Sequence, residues 1–206
     1  MCAKSKTPKL TIELIPSTCH FSNVRTTIKK KEWDKIRFLS YEAAGHKCEI
    51  CKSIGTEQGY KHNLECHEIW GYDDENHIQK LEGLISLCPI CHQVKHIGMA
   101  IKMGRFGRCV KQLAIVNKWN REQIDAHVAE SFEVYKERSL HEWALDLSLL
   151  NGPPYELNID INEERIFEIK KYKKKRRKKK KPVAKKATPR KVATKKGNKR
   201  PPRNKT

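Results

Sequence analysis

Leu10, Ile12 and Leu14 alternate with Thr11 and Glu13 until Pro16 interrupts them, the period of a short half-buried strand. Over residues 30–44 the period becomes helical: Trp33, Ile36, Leu39 and Ala43 share one stripe, and Gly45 follows where a left-handed residue usually closes a helix. This helix delivers the chain to Cys48. Between Cys48 and Cys91 the pattern predicts two tight turns, a strand-like piece over residues 63–70, a polar loop containing GYDDEN, and a second apolar piece over 84–87. Pro89 suits a first helical turn and Gly98 an end, so residues 90–97 read as a short helix carrying His92 and His96 at i and i+4 on one face.

A further helix is expected over residues 106–116. Asn120, followed by Glu122 and Gln123, signals the cap of another, with Ile124, Val128, Phe132 and Tyr135 on its inner face. Trp143, Leu145, Leu147 and Leu149 alternate, as do Leu157, Ile159 and Ile161 beyond the turn at Gly152, Pro153 and Pro154. These two candidate strands can pair with residues 10–15. No segment repeats at a fixed period. The mixture predicts an α+β domain over residues 10–168, between a disordered Lys-rich start at 1–9 and a disordered polybasic tail at 169–206.

Charge sharpens that division. The 206 residues carry 44 Lys and Arg against 24 Asp and Glu, a net +20, and 21 of the basic residues lie in 169–206, which has no acidic one. The remaining 23 basic and 24 acidic residues leave the body close to neutral. No run of about 18 apolar residues occurs, and the N-terminus lacks the apolar core of a secretory signal. A soluble intracellular protein is expected: cytoplasmic or nucleoid-associated in a bacterium or phage, nuclear in a eukaryote or nuclear virus.

A body of roughly 165 residues can bury its own core without disulfides, so the eight cysteines call for another explanation. Cys48-x-x-Cys51 and Cys88-x-x-Cys91 each place two thiolates on a tight turn, the geometry from which two knuckles close a tetrahedral structural zinc. Burial as small hydrophobes, or a thioredoxin-like redox pair, accounts for one such pair but not for two matched ones. Cys2, Cys19, Cys66 and Cys109 lack this spacing and are expected to be unligated.

A second set overlaps the first. In LECHEI, GLISLCPICH and the following His96, three imidazoles, His67, His92 and His96, meet if the two apolar pieces form a hairpin packed on the short helix. Three protein ligands with a fourth position left over is the pattern of a catalytic divalent metal. Over residues 48–98, a quarter of the chain, this arrangement resembles the HNH family of ββα-metal nucleases, in particular members whose finger is held by a four-Cys zinc. The resemblance implies a metal site at His67, His92 and His96, with Mg²⁺, Mn²⁺ or Zn²⁺ as the divalent ion. It places Glu68 where the family carries its general-base His, and Gly83 where it carries an Asn. Glu is the weaker base unless burial raises its pKa. Gly83 can equally serve only to close the GYDDENHIQKLEG loop, and His77 in that loop is an outside candidate for the missing imidazole.

Lys95, Lys102, Arg105 and Arg108 cluster after the His helix, where they can meet phosphates or be ordinary surface charges. Trp70 and Tyr72 can stack on bases or pack at a strand end. In the tail, the run Lys173, Lys174, Lys175, Arg176, Arg177, Lys178, Lys179, Lys180 and Lys181 has the composition of a non-specific polyanion binder. It resembles the tails of linker histones and bacterial histone-like proteins, and also a nuclear localisation signal. The expected function is a metal-dependent HNH-like endonuclease hydrolysing DNA phosphodiester bonds, tethered by its tail. The alternative is a catalytically inactive, zinc-stabilised DNA-binding or DNA-packaging protein, with an RNA-processing zinc protein third. Protein partners and oligomeric state are not indicated.

Overall fold

The computed structural model describes residues 8–159. Helices α1 (Val24–Thr27) and α2 (Lys30–Ala43) come first, and the cysteine-bearing turn at 48–51 leads into a hairpin of β1 (Glu65–Asp73) and β2 (Ile78–Leu87). Four helices follow, α3 (Pro89–Lys95), α4 (Ile97–Lys102), α5 (Phe106–Asn117) and α6 (Arg121–Arg138), and a short strand β3 (Ala144–Asp146) completes the mixed α and β architecture. The sheet order is β1-β2-β3, with β3 parallel to β2 so that Ile78 faces Ala144 and Lys80 faces Asp146.

The hairpin is longer than the hydrophobic pattern predicts. Gly71, Tyr72 and Asp73 of the GYDDEN segment belong to β1, and β2 begins at Ile78 rather than Leu84. Asp73 tightens the turn by accepting from the backbone N–H groups of Glu75 and Asn76 at 3.1 and 2.9 Å. The register slips by one residue between Ile69 and Trp70. Gly71 makes room there, because a Cβ at that position would lie 2.2 Å from Glu82 Oε1.

Alternation along β1 separates two cores. On one face, Leu87 joins Leu10, Ile12, Val94, Ile97, Leu113 and Ile124, all buried among α3 to α6. On the other, Leu81 joins Val24, Ile28, Ile36, Leu147 and Leu150, with Trp33 and Trp70 packed against them. Each such side chain contributes about 1.5–3 kcal/mol when fully buried, so the hairpin is clamped from both sides. The cap predicted for α6 is present as a reciprocal pair: Asn120 Oδ1 accepts from the Gln123 N–H at 2.9 Å, and Gln123 Oε1 accepts from the Asn120 N–H at 3.0 Å. Gly45, φ +60°, follows α2 as expected.

Three expectations are corrected. Residues 10–14 are extended but are not a sheet strand. The Leu10 N–H donates to Asn117 Oδ1, the Ile12 N–H to His127 Nε2, and the Glu13 N–H to the Lys95 carbonyl, each at 3.0 Å. Side chains and a helix end therefore satisfy the backbone that a neighbouring strand would otherwise have paired. The helix expected over 90–97 breaks at His96 (φ −103°, ψ 44°) and resumes as α4 through Gly98. Of the two C-terminal candidate strands, the first forms only as Ala144–Asp146, pairs with β2 and runs on into a 3₁₀ turn at Ser148–Asn151. Residues 157–159 form no strand. Cys2, Ile161 and the tail lie outside the described residues. Among the described residues no helix is long and apolar enough to cross a membrane.

Candidate metal centres

Cys48 and Cys51 sit on a turn in which the Lys52 N–H donates to the Cys48 carbonyl at 2.9 Å and Lys52 takes a left-handed φ of 66°. Cys88 is the N-cap of α3 and Pro89 its first residue, so Cys91 follows on the first turn. The two elements bring all four Sγ atoms within 4.8 Å of one another, with Cys51 and Cys88 at 3.5 Å. A Zn–S bond of about 2.3 Å in a tetrahedron sets the S···S edge at about 3.8 Å, so the four side chains fit one zinc. Two donors stand behind the sulfurs: Gln58 Nε2 at 3.2 Å from Cys88 Sγ and Gln112 Nε2 at 3.3 Å from Cys91 Sγ. Both were missed from sequence, since a glutamine at no fixed spacing carries no signal. Hydrogen bonding among the four thiols lowers the Cys48 pKa and, on balance, that of Cys51, and raises those of Cys88 and Cys91, so the protons are shared unequally within the cluster. Cys66 is pushed up to about 12 and Cys109 to about 11 by burial, and neither they nor Cys19 join the cluster.

The second group also draws on α3. His67, on β1, is 2% exposed, and its cross-strand neighbour is Ile85. His92 is on α3 and His96 is the joint between α3 and α4. One ring nitrogen from each of the three lies within 4.8 Å of the others, and the ring centroids are 4.8–5.3 Å apart. Burial holds the His67 pKa below its ordinary value and, with His92 and His67 nearby, brings His96 down to about 3. Those two imidazoles are neutral at pH 7, the form that ligates a metal. A metal–nitrogen distance of about 2.0–2.1 Å asks for N···N edges of about 3.3 Å, and the three nitrogens lie within 4.8 Å of one another. The group fits a divalent ion.

Two carboxylates touch this group, and neither was singled out from sequence. Glu65 Oε2 lies against His92 Nδ1, and its Oε1 is 2.7 Å from Nε2 of the exposed His62. Glu13 Oε2 is 2.9 Å from His67 Nε2. Glu65 belongs to the same strand and face as His67, so alternation alone could have suggested it. Glu13 is 54 positions away from His67 and gives no such hint.

Glu68 points elsewhere. Its cross-strand neighbour Leu84 packs in the second core, and its Oε1 accepts from the Val24 N–H at 2.8 Å at the start of α1. Burial pushes its pKa up to about 7 despite the N–H groups of Val24 and Arg25. Gly83 lies inside β2 opposite Ile69, and a Cβ there would make only an ordinary 3.6 Å contact with Ile69 Cδ1. His77, at the far end of the hairpin from His67, stacks on His141 at 4.2 Å. Lys102, Arg105 and Arg108 are exposed around the turn between α4 and α5, with Arg108 5.6 Å from the Tyr60 ring. Lys95 does not join this surface set: it is 5% exposed, and its ammonium donates to Glu13 and Thr11. Trp70 packs against the second core, and Tyr72 lies between Trp143 and Arg138. The basic run from Lys173 to Lys181 lies outside the described residues.

No family model, no characterised protein and no solved structure matches this chain.

Proposed function

We propose that the protein is a metal-dependent, HNH-like endonuclease that cleaves DNA phosphodiester bonds. The observation that carries this reading is the convergence of His67, His92 and His96 between one hairpin and the helix that follows it, beside four clustered cysteines. A divalent ion held by the three imidazoles supplies Lewis-acid stabilisation of charge on a phosphoryl oxygen. The four cysteines fix the start of α3 by a structural zinc, and so fix where His92 and His96 stand. Lys102, Arg105 and Arg108, exposed around the turn between α4 and α5, suit phosphate contact. The polybasic tail suits sequence-independent anchoring on the same polyanion.

One observation favours a second reading, a catalytically inactive DNA-binding protein on the same scaffold. Glu68, at the position the resemblance gives to the base, is engaged by the backbone of α1 on the opposite face of the hairpin. Plasmid nicking separates the two. With Mg²⁺ or Mn²⁺ the intact protein is expected to nick supercoiled DNA, and His67→Ala to lower the rate at least 100-fold while leaving DNA retention in a gel intact. Retention without any metal-dependent nicking by the intact protein sinks the enzyme and leaves the binding protein.

A further inference from the structure

The segment at residues 10–14 enters the fold far upstream of the hairpin and ends against the histidine group. Glu13 is held there twice. Its backbone N–H donates to the Lys95 carbonyl at 3.0 Å, which fixes it to the C-terminal end of α3. Its carboxylate is forked: Oε1 accepts from the Lys95 ammonium, and Oε2 lies 2.9 Å from His67 Nε2. Lys95 is 5% exposed and also donates to Thr11 Oγ1 at 3.1 Å, so a buried cation is provided with an anion and a hydroxyl from one short segment. Beside that cation the carboxylate is an acceptor only, and the His67 ring must donate to it. A neutral imidazole has one N–H and one lone pair. A carboxylate that takes the proton at Nε2 therefore leaves the lone pair on Nδ1. His92 is treated in the same way from another direction, with Glu65 on its Nδ1.

We propose that Glu13, backed by Lys95, is a positioning residue of the histidine centre, fixing the tautomer and ring orientation of His67 so that the upstream segment is an integral part of the metal site. The proposal rests on His67, His92 and His96 holding a divalent ion. Carboxylates on the second nitrogen of ligating histidines typically govern metal affinity 10–100-fold. A mere core ion pair between Glu13 and Lys95 would contribute to stability and leave affinity alone.

The test uses the full chain with its thiolate zinc in place, titrated with Co²⁺ and read by visible absorption bands free of sulfur charge transfer. Wild type is expected to bind one Co²⁺ in this way, and His67→Ala to abolish it. The double variant Glu13→Gln, Lys95→Met avoids stranding a buried cation and is expected to bind Co²⁺ 10–100-fold more weakly. Lys95→Met alone, which keeps the carboxylate, should stay within about threefold of wild type. Long-range proton–nitrogen spectra of the metal-free wild type should show His67 protonated at Nε2. Affinity of the folded double variant within threefold of wild type, or a His67 proton on Nδ1 in wild type, overturns the role of Glu13 and leaves the metal centre standing. Absence of any His67-dependent Co²⁺ in wild type overturns the centre itself.

Discussion

The His127 imidazole accepts a hydrogen bond from the Ile12 N–H at 3.0 Å, a role open only to a ring whose Nε2 is unprotonated. Half-burial lowers its pKa below the ordinary value near 6.5, against the opposing pull of Glu130 and with a smaller contribution from Lys95. The unfolded chain therefore takes up the proton first. The contribution to stability is complete above about pH 6.5 and is lost as pH falls from there through the folded-state value. His127→Gln keeps an acceptor and cannot titrate. The thermal midpoint of wild type is expected to fall between pH 7.5 and 5.5 by more than that of the variant, and equal losses would remove His127 from the account. At this scale the two groups that could hold a metal were legible in the sequence and the residues around them were not. Two CxxC pairs and a His pair at i and i+4 advertise themselves by spacing. Glu13 and Lys95 read as a strand residue and a surface cation, because neither spacing nor charge records that the fold presses them together.

Among the elements, α3 ties the two centres together. Cys88 and Cys91 occupy its N-cap and first turn, and His92 and His96 follow within one more turn and the joint to α4. A hydroxyl is a poor zinc ligand, so Cys51→Ser should forfeit about a quarter of the roughly 10–16 kcal/mol that a structural zinc supplies. For a domain of this size roughly 3 kcal/mol corresponds to a drop of about 6–12 °C in thermal midpoint. The expected result is that drop, together with zinc that a chelator strips from the variant and not from wild type; an unchanged melt and zinc content would mean the four thiols hold no structural ion. The hairpin and helices α2, α3, α5 and α6 were legible as elements because their periods are unambiguous, whereas the short α1 and α4 carry too few turns to show one. The fate of residues 10–14 was not, since alternation of Leu10, Ile12 and Leu14 dictates an extended backbone with two faces and is silent on its partner. Asn117 decides that partner: its Oδ1 accepts from the N–H groups of Lys9 and Leu10, and its Nδ2 donates to the Leu10 carbonyl at 2.7 Å.

Across the whole molecule, charge and metal chemistry are assigned to different stretches of the chain. Both groups that could hold a metal lie within residues 48–96, in a body that is near neutral, while 21 of the 44 Lys and Arg fall in 169–206 with no acidic residue among them. The exposed cations around the turn between α4 and α5, Lys102, Arg105 and Arg108, are few by comparison. Each phosphate neutralised by a cation lowers the slope of log affinity against log salt by about 0.9 on duplex DNA. If the tail is the anchor, that slope belongs to it. A chain ending at residue 168 is expected to bind plasmid DNA with a slope shallower by several units and much weaker affinity at low salt. Its zinc content and its Co²⁺ stoichiometry should match the intact protein, and any nicking should fall through loss of effective concentration on DNA rather than loss of chemistry. Fluorescence anisotropy on a labelled duplex between 50 and about 300 mM salt reads the slope directly. Equal slopes for the two proteins would move the anchoring surface into the body, with the turn between α4 and α5 as its first candidate.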